Sequence, residues 1–326
     1  MQFFLLILGL AMIVKSADVL IDSSSRIARR YGVSSFVIGL TVVAFGTSAP
    51  ELAVGIVSGI ARTNQLTLGN IVGSSLSNIA LIVGISSIIM PLRVRDAVAK
   101  REMPMLIGIE LILCAMMLFD NVLSRLDGVF LLLGFAGFMA YIIRDTKSST
   151  QPELDKDNNI DTDGERNQLP NKKKESSMGK LWLFSALSLA GLFLGGKLTV
   201  DSSTQIAQSF GLSETLIGLT VVSLATTMPE LITSIMAAVK KEPDIVLGNC
   251  IGSNIFNILL VLGFSSAISP IPVESSLILD AAAMGIVTIF LFIVSIIQKQ
   301  IRRGTGILLL ISYVGYLSYK IATAFI

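Results

Sequence analysis

Residues 39–52 read GLTVVAFGTSAPEL, and residues 218–231 read GLTVVSLATTMPEL. The second stretch repeats the first at a constant offset of 179, and the match continues without gaps. Residues 39–92 align with 218–271 with 23 identities in 54 positions. LGNIVGSSLSNIALIVGISSIIMP at 68–91 is answered by LGNCIGSNIFNILLVLGFSSAISP at 247–270. Upstream, Asp22-Ser23-Ser24 is answered by Asp201-Ser202-Ser203. Self-similarity of this length and register marks an internal duplication.

Both copies are strongly apolar, and so is the rest of the chain. Of 326 residues, 52% are hydrophobic and 15% charged, with a mean hydropathy of +0.76. A soluble domain of that size cannot bury so much apolar side chain, so lipid must solvate much of the surface. A helix needs roughly 20 apolar residues to cross a bilayer core. The pattern predicts an all-α membrane protein with ten transmembrane helices, at 2–22, 34–60, 66–91, 103–120, 126–144, 179–200, 214–238, 244–268, 277–297 and 305–324. The short alternating segments of a membrane β-barrel are absent. The first apolar run lacks a basic n-region and a clear cleavage site, so it reads as a span rather than a signal peptide. The net charge of +2 gives no footprint for nucleic acid. Cys114 and Cys250 lie in apolar stretches and read as packing residues. Histidine is absent, which removes the commonest metal ligand and proton shuttle and favours cations bound through oxygen.

Five spans per copy, an odd number, turn the second copy upside down. The expected architecture is therefore two inverted five-helix repeats, residues 1–144 and 179–326, holding the duplicated motifs 39–92 and 218–271. Charge placement is an independent test. Arg26, Arg29 and Arg30 become Gln205, Gln208 and Ser209; Arg93 and Arg95 become Pro272 and Glu274; Ala61 becomes Lys240. Loops on one side of the predicted spans hold 20 Lys and Arg residues, whereas the other side holds Arg62 and Arg125. This places both termini outside and the polar segment 145–178 in the cytoplasm of a plasma-membrane protein. That segment reads as a solvated linker. Its acids Glu153, Asp155, Asp157, Asp161, Asp163 and Glu165 lack the spacing of an EF-hand.

An inverted repeat puts its ligand site between the copies near the midplane. Glu51 and Glu230 are repeat-equivalent acids inside apolar spans, and no basic residue is an obvious partner for either. A buried carboxylate costs several kcal/mol unless paired, hydrated or metal-bound. The alternative, a pair of protonated structural acids, leaves their symmetry unexplained. Pro50 and Pro229 precede them and remove a helical N–H, so the carbonyls of Gly46 and Ala225 lose a partner and those of Thr47 and Thr226 are expected to be strained. Free carbonyls at membrane depth are tolerated where they face a polar cavity. Thr47 and Thr226 stand four residues before each Glu and are expected on its helix face. Ser74 with Asn78, and Ser253 with Asn257, repeat at i and i+4 in the next span of each copy. Together with Ser48 and Thr227 they supply neutral oxygens suited to sodium or calcium. Gly69, Gly73, Gly248 and Gly252 allow close helix approach, which simple packing explains equally well.

GTSAPE with GNIVGSSLSN, and ATTMPE with GNCIGSNIFN, resemble the two repeat motifs of the calcium/cation antiporter superfamily, and most nearly its prokaryotic sodium/calcium exchangers. The resemblance covers both copies and leaves out the linker. It implies a central calcium site between Glu51, Glu230 and the carbonyls of Thr47 and Thr226. It also implies flanking sodium sites on the Ser, Thr and Asn oxygens and on the carbonyls of Ala44 and Ser223, and sliding of spans 1 and 6 over the other eight. Two departures stand out: Ala225-Thr226-Thr227 replaces the usual Gly-Thr-Ser, and Asn257 stands where some members carry Asp, leaving two central acids.

The expected function is secondary antiport of Ca²⁺ against Na⁺ by alternating access. Sodium is favoured as the driving ion because the neutral oxygens bind it and do not titrate; several sodium ions per calcium would make transport electrogenic. Exchange of H⁺ for Ca²⁺, or of another cation, is the alternative, since a buried Glu can titrate near neutrality. A cation channel would need no duplicated, inverted architecture. An intramembrane hydrolase would need its carboxylates to position water, and the symmetric ring of neutral oxygens has no role in that, so no enzyme is expected. The expected partners are membrane lipid and the transported Ca²⁺ and Na⁺, with no cofactor.

Overall fold

The computed structural model describes residues 1–61, 65–148, 177–210 and 223–324. Residues 149–176 of the expected linker 145–178 and the start of the seventh expected span lie outside the described residues; 145–148 and 178 belong to the flanking helices. The described chain is helical, with α1 at Gln2–Tyr31, α2 at Ser35–Thr47, α3 at Ala49–Ala61, α4 at Thr67–Ile89, α5 at Val98–Asp120 and α6 at Arg125–Ser148. It continues with α7 at Met178–Ser209, a four-residue α8 at Ser223–Thr226, α9 at Met228–Val239, α10 at Pro243–Ile268, α11 at Ser275–Gln298 and α12 at Arg303–Ala324. Among the described residues, seven helices are long and apolar enough to cross a membrane, or eight if the bent pair α2–α3 is one span. The other two expected spans, 214–238 and 305–324, overlap the 12-residue α9 and the 22-residue α12.

The sequence predicts a span over 34–60 disturbed by Pro50, and the structure breaks the helix at that point. Regular helix stops at Thr47 and resumes at Ala49, with a bend of 46° between the segments. Pro50 is the cause: its ring crowds the preceding turn and its missing N–H leaves the Gly46 carbonyl without a helical donor. α1 and α7 run further than expected, to 30 and 32 residues. α1 continues through its arginines and stops where Gly32 adopts the left-handed conformation, φ 64°.

Burial sorts the helices into a centre and a rim. The apolar window of α10 is 100% buried and that of α4 78%, against 22% for α6 and 28% for α1. α4 and α10 are repeat-equivalent, and they cross where the Asn254 amide donates to the Ser75 carbonyl at 3.2 Å. Those two residues are themselves equivalent under the 179-residue offset. The rim helices turn Phe3, Phe4, Ile7, Phe130, Leu133, Leu187 and Ile297 outward. A membrane protein covers such side chains with lipid.

Contacts between the copies are reciprocal. Strand β1 (Leu92–Arg93) pairs antiparallel with β4 (Gln300–Ile301), and β2 (Val122–Leu123) with β3 (Ile271–Pro272). Each sheet therefore joins one copy to the other. The connecting turns at Asn121 and Lys299 both take positive φ, 57° and 51°. Gly128 of α6 lies so close to the Gly263 carbonyl that a Cβ would stand 2.8 Å from it, and Gly306 of α12 meets the equivalent Gly84 carbonyl at 2.6 Å. On the rim, α1 and α7 pair through small residues, with Gly9 against Gly195 and a Ser185 to Ser23 hydrogen bond of 2.8 Å.

Candidate cation-binding site

Helix α7 lies across both proline breaks. A Cβ on Gly196 would stand 3.3 Å from Pro229 and 3.4 Å from Pro50. Beyond each break the backbone ladder restarts on the residue before the segment, with Leu52 N–H on the Ser48 carbonyl at 3.1 Å and Leu231 N–H on the Thr227 carbonyl at 3.0 Å. The proline of each break thus puts the following Glu in the first turn of a new helix.

Glu51 and Glu230 are both fully buried, and their carboxylates are electrostatic neighbours. Neither forms an ion pair among the described residues. The Ser48 hydroxyl donates to Glu230 Oε1 at 3.2 Å, while Glu230 Oε2 and both oxygens of Glu51 make no hydrogen bond of normal geometry. The threonines serve the opposite copy: the Thr47 hydroxyl lies against Glu230, and the Thr226 hydroxyl against Glu51. Each Thr hydroxyl thus reaches the Glu of the other copy, which the four-residue spacing alone did not indicate. The kink interrupts the i to i+4 register and turns Thr47 toward α10, where it donates to Asn249 Oδ1 at 3.1 Å and stands 3.4 Å from Ser253 Oγ.

Two glycines permit that approach. A Cβ on Gly248 would stand 2.8 Å from the Leu40 nitrogen, and one on Gly252 would stand 2.5 Å from the Leu40 carbonyl. α10 therefore packs backbone to backbone on α2, which brings Asn249 and Ser253 to Thr47.

Ser74, Asn78, Ser253, Asn257 and Thr227 are buried as well. Asn78 donates to Asn254 at 2.9 Å, which leaves its own oxygen unpartnered. Ser74 Oγ and both polar atoms of Asn257 likewise have no hydrogen-bond partner among the described residues. Asn78 and Asn257 both sit where the α-helix widens into a π-helical turn, at Asn78–Ile82 and Phe256–Leu262. Such turns loosen the regular ladder and recur at functional sites. The Ala44 carbonyl is engaged, accepting the Ser48 N–H at 3.0 Å with the Thr47 hydroxyl 3.3 Å away. Ser223 supplies the first backbone residue of α8; its side chain lies outside the description.

Two asparagines tied to this centre, and one buried acid away from it, escaped the sequence reading. Asn249 links Thr47 to Ser234, which it meets at 3.0 Å, and its repeat mate Asn70 accepts from Thr226 at 3.4 Å. Both lie within the quoted LGN repeats, so their identity in the two copies was an available signal. Glu110, buried within α5, accepts from Thr288 at 3.0 Å; its repeat counterpart is not acidic, so symmetry gave no pointer. Among the described residues, no cluster of three or more His, Cys, Asp or Glu side chains is placed to hold a metal. The chemistry available is two carboxylates among neutral hydroxyl and amide oxygens, a hard-cation donor set of adjustable coordination number.

Comparison with known proteins agrees with that chemistry. The family model described as sodium/calcium exchanger protein matches residues 1–144 and 180–322. The chain is 34% identical to the sodium/calcium exchanger MaX1 of Methanosarcina acetivorans, over 97% of each protein. It is 33% identical to the inner membrane protein YrbG of Escherichia coli, over 96% of this chain and 95% of YrbG. Its fold superimposes on the sodium-calcium exchanger NCX_Mj with a TM-score of 0.82 at 28% identity, covering 97% of both chains. The chain belongs to the sodium/calcium exchanger protein family.

Proposed function

We propose that this protein is a secondary antiporter that exchanges Ca²⁺ for Na⁺ across the membrane by alternating access. The carrying observation is the pair of buried acids, Glu51 and Glu230, supplied by opposite copies of the repeat without a basic partner among the described residues and met by the hydroxyls of Ser48, Thr47 and Thr226. One Ca²⁺ balances two glutamates and takes its remaining ligands from the carbonyls of Thr47 and Thr226. Sodium ions are held by Ser48, Thr227, Ser74, Ser253, Asn78 and Asn257, with the Ala44 and Ser223 carbonyls as further ligands. The Ala44 carbonyl has to release the Ser48 N–H or use its remaining lone-pair direction to do so.

Hydroxyl and amide oxygens replace sodium hydration and do not titrate, so sodium rather than protons drives the cycle. More than two Na⁺ per Ca²⁺ makes transport electrogenic. The architecture in this reading is ten helices in two inverted repeats, 1–144 and 179–326, around a cytoplasmic linker at 145–178, with both termini outside. The reciprocal contacts between the copies and the charge placement along the sequence support it. α1 and α7, paired with each other over the two proline breaks, are the elements that slide. No covalent chemistry is involved.

The test is calcium uptake into sodium-loaded proteoliposomes in sodium-free medium at equal pH. Uptake is expected to follow the sodium gradient and to respond to a membrane potential set with a potassium ionophore. Uptake that follows a pH gradient and ignores sodium overturns the sodium reading. Calcium flow that never runs uphill identifies a channel.

A further inference from the structure

A groove of about 280 Å³ opens between α1 and α7, lined by Val19, Asp22, Ser23, Arg26, Leu181 and Phe184. Its polar groups are unequally occupied. Asp22 shares Lys240 with Asp18, at 2.7 and 2.6 Å, and Lys15 stands 3.7 Å from Asp18, so two lysines match these two acids. The Ser23 hydroxyl is held by the Val19 carbonyl at 2.9 Å and by Ser185 at 2.8 Å. Arg26 is exposed and forms no ion pair among the described residues. The remaining wall is apolar, from Val19, Leu181 and Phe184. The groove therefore combines one uncompensated guanidinium with a hydrocarbon lining.

Its depth in the bilayer is marked by neighbouring aromatics. Tyr31 and Trp182, on the same two helices, have ring centroids 6.4 Å apart, and the Trp182 indole N–H points to the Tyr31 hydroxyl at 3.4 Å. Tyr and Trp concentrate where the headgroups meet the hydrocarbon. An arginine at that depth presents a planar fork suited to a phosphate diester.

We infer that this groove is a binding site for an anionic phospholipid, its phosphate on Arg26 and an acyl chain along Leu181 and Phe184. The lipid touches both α7, which lies over the proline breaks, and α1, which pairs with α7. Arg29 does not line the groove, and its Nε–H is engaged by the Ser25 carbonyl at 3.2 Å.

The test titrates dioctanoyl phosphatidylglycerol and dioctanoyl phosphatidylcholine into the full chain in an uncharged detergent, read by native mass spectrometry and by thermal unfolding. Wild type is expected to prefer phosphatidylglycerol by about fivefold, the factor that roughly one basic residue at a membrane surface supplies. Arg26→Gln loses the preference, Arg26→Lys keeps part of it, and Arg29→Gln keeps it. Phe184→Ser weakens the binding of both lipids. Glycerol phosphate, the headgroup without chains, produces no shift. Equal retention of the two lipids by wild type overturns the proposal and leaves an unselective apolar groove. Preference that survives Arg26→Gln, or falls equally in Arg29→Gln, overturns it in favour of diffuse surface charge. A shift with glycerol phosphate equal to that with phosphatidylglycerol overturns it in favour of a free-anion site. A cooperative unfolding transition in each variant confirms that a loss is not misfolding.

Discussion

Glu51 and Glu230 occupy equivalent positions in the two copies of the repeat, yet their surroundings differ. Glu230 accepts a hydrogen bond from Ser48, whereas neither oxygen of Glu51 has one of normal geometry. The threonines differ in the same sense: Thr47 meets Asn249 at 3.1 Å, and Thr226 meets Asn70 at 3.4 Å. The clamp of Lys240 on Asp18 and Asp22, at 2.6 and 2.7 Å, also belongs to one copy only, because the equivalent residue is Ala61. Near-identical motifs have thus settled into unequal conformations. If the two copies exchange conformations during alternating access, Thr227 is expected to take toward Glu51 the role that Ser48 has toward Glu230.

The largest expected effect tests whether both acids belong to one site. Glu51→Gln and Glu230→Gln each reduce sodium-driven calcium uptake by about 100-fold or more while the protein stays folded, since each removes half of the charge facing the ion. Wild-type rates in either folded variant would remove that residue from the site. The same pair sharpens the comparison through stability. Without ions, Glu51→Gln is expected to stabilise more than Glu230→Gln, by about 1 kcal/mol, because the charge at Glu51 has less hydrogen-bond support. Thermal unfolding in calcium-free and sodium-free detergent measures the difference, and equal shifts would mean that the two environments average out in solution.

Replacing the hydroxyls comes next. Thr47→Val is expected to lower stability by about 1 kcal/mol and Thr226→Val by less, following the shorter bond to Asn249. Both lower apparent calcium affinity because both hydroxyls lie against a central carboxylate. Denaturation and calcium titration of the two variants check the order.

The clamp predicts a smaller change. Lys240→Ala is expected to cost about 1 kcal/mol or less, as partly exposed ion pairs do. Asp18→Asn and Asp22→Asn each have less effect than Lys240→Ala, because the lysine keeps its other partner. If α1 slides past α9 during exchange, Lys240→Ala also raises the uptake rate at unchanged calcium affinity; an unchanged rate would detach the clamp from the moving step. The smallest effect belongs to the linker. Shortening within 150–175 should leave basal uptake unchanged, because the segment lies outside both repeats and changes in loop length cost little. Loss of uptake in a folded deletion variant would give the linker a part in coupling the copies.

What the sequence determined alone was the duplication and the membrane character, and it singled out two repeat-equivalent acids inside apolar spans. These are one-dimensional signals. A 179-residue offset, a run of apolar residues and an acid inside such a run need no partner to be recognised. The neutral side chains Thr47, Ser48, Ser74, Asn78 and their mates stood out as candidates too, because duplication marks a residue twice. Tertiary structure alone decided which oxygen meets which acid. The 46° kink at Pro50 breaks the helical register that links Thr47 to Glu51, and each Thr hydroxyl lies against the Glu of the opposite copy. It also decided the parts played by Asn249, Asn254 and Lys240, whose partners lie between 15 and 222 residues away in sequence. Helix periodicity reports neighbours within a turn or two. Contacts between crossing helices depend on how closely backbones can approach, and at Gly248 and Gly252 that distance is set by the absence of a Cβ on a surface whose partner the sequence does not name.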